Sequence, residues 1–155
     1  MNKKAVFAGT FDPFTLGHLD VVKKASKTFD EIIIAVASVS DNKKCMFSLD
    51  KRIEIVKASV SKFPGVKVVS FSGFLVDFMK ENGVNVFVRG LRNSIDFEYE
   101  KNLLAVYKSQ WIDVEGVYYV TDSDKAHISS SIVREIIMLG GDVKKYLSSE
   151  ALKLI

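Results

Sequence analysis

One cysteine, Cys45, stands in a chain of 155 residues. No intrachain disulfide can form, so stability has to come from packing, and a reducing compartment is implied. No apolar run approaches the roughly 20 residues a membrane helix needs. The apolar stretch behind Lys3 and Lys4 is also too short for a signal peptide. A cytoplasmic protein with no membrane partner is expected. Charge of one sign is scarce as well: 22 basic residues against 19 acidic leave only +3, too little by itself to argue for nucleic acid or a lipid surface. No repeat, low-complexity tract or linker interrupts the chain, so residues 1–155 read as a single domain long enough for a real core. The dinucleotide fingerprint G-x-G-x-x-G, the P-loop G-x-x-x-x-G-K and the zinc motif H-E-x-x-H are all absent. No cluster of residues has metal-ligand spacing either.

What is present is concentrated in residues 5–20, AVFAGTFDPFTLGHLD. Ala5-Val6-Phe7-Ala8 is apolar, too short for a helix and followed by a turn, which predicts a buried strand. Gly9 and Thr10 end it, and Asp12-Pro13 is turn chemistry, since proline fixes its own φ and pushes its predecessor out of helical angles. Thr15 then predicts a helix N-cap, with His18 three residues on and sharing its face. A strand running through a small-residue loop into a helix offers free N–H groups and a positive dipole end, which suits phosphate.

The remaining chain alternates. The first helix continues over 21–29, and 31–37 predicts a second strand, apolar on both faces as in a parallel sheet. A polar loop with Lys43 and Lys44 leads to a helix capped by Ser48. Further strands are expected at 66–71, 84–88 and 117–120. Helices are expected at 73–82 (closed by Gly83), 96–110 and 132–139, with a helical tail at 143–155. This order predicts an α/β fold: a Rossmann-like, doubly wound, five-stranded parallel sheet with helices on both faces. Ligands of such sheets bind at the carboxyl ends of the strands. Those ends carry Thr10 and His18; Lys43 and Lys44; Leu75; Arg89 and Arg92; and Ser129, Ser130 and Ser131. Four of the five groups can bind anions. Each alone reads as a solvated turn, a structural arginine or a helix cap; their common rim points to an anionic ligand.

The spelling of these motifs is more specific. Gly9-Thr10-Phe11-Asp12-Pro13 followed by Thr15-Leu16-Gly17-His18 resembles the T/H-x-G-H motif of the nucleotidylyltransferase superfamily. Arg89-Gly90-Leu91-Arg92, then Asp96-Phe97-Glu98-Tyr99-Glu100, is similar to the RGLR…DFEYE pattern of bacterial phosphopantetheine adenylyltransferases. Ile128-Ser129-Ser130-Ser131-Ile132-Val133-Arg134 resembles their I-S-S-T/S-x-x-R motif. The similarity runs over about residues 4–147; the loop 123–127 departs from it in lacking an aromatic residue.

The resemblance implies transfer of the adenylyl group of ATP to 4′-phosphopantetheine, giving dephospho-coenzyme A and pyrophosphate with Mg2+. It implies catalytic roles for His18, as transition-state stabiliser, Lys43 and Arg92. Thr10, Lys43, Leu75 and Arg89 would bind the acceptor, with Lys44 an alternative to Lys43. ATP would meet Thr10, Phe11, His18, Gly90, Leu91, Arg92 and Glu100, and the run Lys125, Ala126, His127, Ile128, Ser129, Ser130 and Ser131. By itself His127 reads as a surface histidine. A homohexamer and feedback binding of coenzyme A are further implications. Two other readings stand beside this one. One is a nucleotidylyltransferase acting on nicotinate mononucleotide or glycerol phosphate. The other is a non-enzymatic nucleotide- or RNA-binding protein, against which Asp96, Glu98 and Glu100 interrupt any basic track.

Overall fold

A computed structural model describes residues 1–39 and 44–155. Five strands, β1 (Lys4–Gly9), β2 (Glu31–Ala37), β3 (Val66–Phe71), β4 (Val86–Leu91) and β5 (Glu115–Val120), form one sheet in the order β3-β2-β1-β4-β5. Every pairing is parallel. The helices between and after them are α1 (Leu16–Ala25), α2 (Leu49–Ser59), α3 (Leu75–Glu81), α4 (Ser94–Gln110), α5 (Ser130–Met138) and α6 (Ser149–Leu152). The doubly wound sheet expected from the sequence is therefore present. Among the described residues no helix is long and apolar enough to cross a membrane.

Two cores lie on the two faces, sorted by the two-residue period of the strands. Ala5 and Phe7 of β1 with Ile32, Ile34 and Val36 of β2 pack under Val21, Val22, Ile55, Val56 and Val133, from α1, α2 and α5. Val6, Ala8, Ile33 and Ala35 pack on the other face against Val76, Met79 and Tyr107, from α3 and α4. β2 is buried on both faces, as its unbroken apolar run required, whereas the edge strand β3 is largely exposed.

Some boundaries differ from the periodicity, each for a local reason. α4 starts at Ser94, two residues before Asp96, because Asn93 caps it by accepting from the Asp96 N–H. α5 starts at Ser130, two residues before Ile132, because Ser129 is its cap and accepts from Ile132. α3 begins at Leu75 because Gly73 has φ +81, outside the helix. α1 ends at Ala25, short of Phe29, where the chain turns to enter β2. β4 runs on through Leu91, so Arg89 and Gly90 are strand residues paired with Tyr118 and Tyr119.

The winding reverses between β1 and β4. They share one paired position, Val6↔Phe87, against six between β1 and β2. Beyond that position Nη1 of Arg89 donates to the Ala8 carbonyl at 2.9 Å, filling the space where the two strands part. A crevice at the carboxyl ends of β1 and β4 follows from this reversal.

Candidate active site

The crevice is a cavity of about 350 Å³. β1 and the loop after it supply Gly9, Thr10 and Phe11; α1 supplies His18; β4, α4 and the turn between them supply Arg89, Gly90, Arg92 and Glu100; α5 and its approach supply Ile128, Ser129 and Ser130. These eleven residues, all singled out in the sequence, line one continuous surface.

His18 is held by its own helix start. Thr15 caps α1 in a capping box, and its backbone N–H donates to Nδ1 of His18 at 2.9 Å. An N–H can only donate, so Nδ1 is an acceptor and carries no proton. Burial lowers the imidazole pKa from 6.5 to about 4, helped by the Arg92 and Arg89 charges. The ring is thus neutral at physiological pH with its proton on Nε2. Phe11 stands edge-on to it (5.1 Å between centroids, 89°), Phe14 at 5.2 Å and Phe7 at 6.2 Å. Phe11 reaches this position with φ 51, the left-handed region that costs a non-glycine residue about 1–3 kcal/mol. Its ring lies over Gly9, where a Cβ would come within 3.0 Å of it, so the glycine makes room.

The arginines are held differently. Arg89 bridges to Ala8 and faces Glu100 at 3.5 Å, and burial pushes the Glu100 carboxyl up despite Arg89. Nε of Arg89 and Oε2 of Glu100 have no hydrogen-bond partner among the described residues. Arg92 donates from Nε, Nη2 and its backbone N–H to Asp96. Burial works against the Asp96 anion, yet the Arg92 bonds hold its carboxyl below the usual range. On the far wall the Ser129 hydroxyl caps α5, and Ser130 donates to the Pro13 carbonyl at 2.8 Å, tying α5 to the turn before α1. The N-termini of α1, through Gly17 and His18, and of α5, through Ser130, so both line the cavity, a placement that suits an anion.

Other sequence-singled residues lie off the cavity wall. Leu75 is buried in the α3 core, and Leu91 ends β4. Lys125 pairs with Asp122 and Asp124. His127 is exposed, with its ring 6.2 Å from that of Tyr146. Ala126 sits in the turn between them, and the Ser131 hydroxyl accepts from Arg134. Lys43 lies outside the described residues, and Lys44 is exposed. Residues to which the sequence reading gave no site role also shape the site. The buried Asp12 accepts from the N–H groups of Met46 and Phe47, Arg134 donates to the Asp12 carbonyl, and Lys24 ties Asp20 to Asp122 and to the Val120 carbonyl. Tyr99 and Thr121 line the cavity. Asp12-Pro13 carried a signal, since a carboxylate in a turn takes N–H donors; Lys24 carried none.

Comparison with known proteins agrees with this geometry. Residues 6–136 match the Cytidylyltransferase-like family. The chain is 45% identical over 153 residues to the phosphopantetheine adenylyltransferase of Nautilia profundicola, covering 99% of both chains. It is 47% identical over 143 residues to that of Ralstonia pickettii, covering 92% of this chain and 85% of the other. A crystal structure from Vibrio parahaemolyticus, assigned as a nicotinate-nucleotide adenylyltransferase, superposes with a TM-score of 0.73 over 99% of this chain and 91% of that one. At 20% identity it speaks to the fold alone. With full-length similarity to named relatives and a histidine-bearing crevice where the sheet reverses, this chain belongs to the phosphopantetheine adenylyltransferases of the cytidylyltransferase-like family.

Proposed function

We propose that the crevice carries out the adenylyl transfer of this family, joining ATP to 4′-phosphopantetheine to give dephospho-coenzyme A and pyrophosphate. The observation that carries the mechanism is the tautomer of His18: with Nδ1 occupied by the Thr15 N–H, the neutral ring offers a proton donor only at Nε2. The acceptor's phosphate oxygen attacks the α-phosphorus of ATP, the new P–O bond forms as the bond to pyrophosphate breaks, and no protein nucleophile is needed. The protein then contributes alignment and charge stabilisation. His18 Nε2–H serves the α-phosphate oxygens as charge shifts onto them. Arg92 and the N-terminus of α5 at Ser129 and Ser130 take the triphosphate; Gly90 and Glu100 line the nucleoside. Thr10 and Arg89 face the acceptor, with Lys43 or Lys44 at its phosphate.

Mg2+ enters this reading with the triphosphate. Among the described residues no group of three His, Cys, Asp or Glu side chains is placed to hold a metal, so no protein ligand is assigned to the ion and no step is routed through it. Coenzyme A combines the chemistry of both substrates, which supports its feedback binding in the same crevice. Use of ATP and the lone Cys45 support work in the cytoplasm.

The test is to mix the protein with ATP, Mg2+ and a panel of acceptors and to follow pyrophosphate. 4′-Phosphopantetheine should be preferred, and pantetheine without its phosphate nearly inert. Faster turnover of nicotinate mononucleotide or glycerol phosphate would overturn the reading.

A further inference from the structure

Arg52 sits on α2 between Lys51 and Ile53, where a surface arginine would be unremarked, yet it is 2% exposed. Its guanidinium points back under the site. Nη1 donates to the Thr10 carbonyl at 2.7 Å and to the Ala37 carbonyl at 2.9 Å, and Nε donates to the Phe47 carbonyl at 3.2 Å. Three separate segments end on this one rigid fork: the loop after β1, the end of β2 and the approach to α2. Phe47 is gripped at both ends of its backbone, because its N–H is taken by the buried Asp12 carboxylate at 2.9 Å. Met46 is held by the same carboxylate at 2.8 Å.

Burying a guanidinium carries a desolvation cost that an apolar side chain of similar volume would avoid. Packing α2 on the sheet is already done by Ile55 and Val56, both fully buried. What the guanidinium adds is spacing. We propose that Arg52 is a positioning residue for the acceptor side of the reaction: by holding Thr10 and Phe47 at once, it fixes the distance between the cavity wall and the segment that carries Lys44. Thr10 lines the cavity and Lys44 lies two residues before Met46. The groups assigned to the triphosphate, Arg92, Ser129 and Ser130, make none of the Arg52 bonds described above; α5 meets the loop after β1 beyond Thr10, at Asp12 and Pro13. Slack at Arg52 therefore loosens one side of the crevice. This inference rests on the adenylyl-transfer reading.

Steady-state pyrophosphate release, with each substrate varied in turn, should be measured on wild type, Arg52→Met, Arg52→Lys and the packing control Val56→Ala. Arg52→Met should raise KM for 4′-phosphopantetheine by ~10-fold or more while KM for ATP stays within about twofold, since small misplacements of aligned groups have large effects. Arg52→Lys keeps a donor for part of the set and should recover part of the loss. Val56→Ala should lower Tm without moving either KM. Should Arg52→Met not fold, a rise of several-fold in acceptor KM for Arg52→Lys with ATP unchanged supports the proposal. No change there overturns it. An equal rise in both KM values, or the same split in Val56→Ala, also overturns it. Wild type inactive on 4′-phosphopantetheine would instead bring down the functional reading beneath it.

Discussion

His18 depends on residues that are close in sequence for its tautomer and on distant ones for its charge state. Thr15 occupies Nδ1, while desolvation and then Arg92 and Arg89 keep the ring neutral. An NMR titration of the free protein should place the His18 midpoint near 4, well below the ordinary 6.5. Between these values the unfolded chain binds the proton and the native ring does not, so stability rises with pH from about 4 to 6.5 and is flat above, as far as His18 is concerned. His18→Asn should remove that part of the slope, read from urea midpoints at several pH values. His18→Ala should lower kcat by on the order of a hundredfold, as loss of a transition-state donor does, with ATP affinity little changed. A variant that kept its kcat would remove His18 from the mechanism.

Among the elements, the approach of β4 to α1 controls the shape of the crevice. A Cβ on Gly90 would meet Cγ2 of Val21 at 2.8 Å and Oγ1 of Thr121 at 3.4 Å. Glycine is required there by close approach, since its φ is ordinary. Gly90→Ala should cost about 1–3 kcal/mol through overpacking, measured by urea unfolding at a pH where His18 is neutral. An unchanged midpoint would mean that α1 can withdraw from the sheet at no cost. The same two elements carry His18 and Arg89, so the stability loss should come with a fall in activity. α5 is tethered to the same turn by two side-chain bonds, Ser130 to the Pro13 carbonyl and Arg134 to the Asp12 carbonyl.

For the whole molecule, α4 is a mostly exposed helix that carries apolar side chains. Of its 17 residues only Glu100 and Tyr107 are buried. Ile95, Tyr99 and Val106 recur at helical spacing on its outer stripe, Ile95 at 77% and Val106 at 51% exposure, with Phe97 beside them. Exposed apolar side chains gathered on one helix suit contact with another chain, which supports the homo-oligomer that the family resemblance implies. Sedimentation at micromolar concentration should show an oligomer, and Val106→Arg should shift it to lighter species. A wild-type protein of monomer mass would refute the assembly.

Much of this molecule could be read from local sequence, because capping, turns and apolar periods act over a few residues. Ala5 to Ala8 as a strand, Thr15 as a cap with His18 on its face, Ser48 as the start of α2 and Gly83 at φ +63 after α3 all follow from such short-range rules. The alternation of strands and helices determined a parallel, doubly wound sheet, and the residues at strand ends already marked one rim. Tertiary structure decided what lies between segments far apart in the chain. Arg52 reads as a surface residue of α2 until packing brings Thr10, 42 positions earlier, within 2.7 Å. Arg89 spans to Ala8 and Arg134 to Asp12 in the same way. No short-range period encodes those bonds: the sheet brings the segments together, and burial, nearly complete for Arg52 and partial for Arg89 and Arg134, turns each guanidinium to a backbone carbonyl.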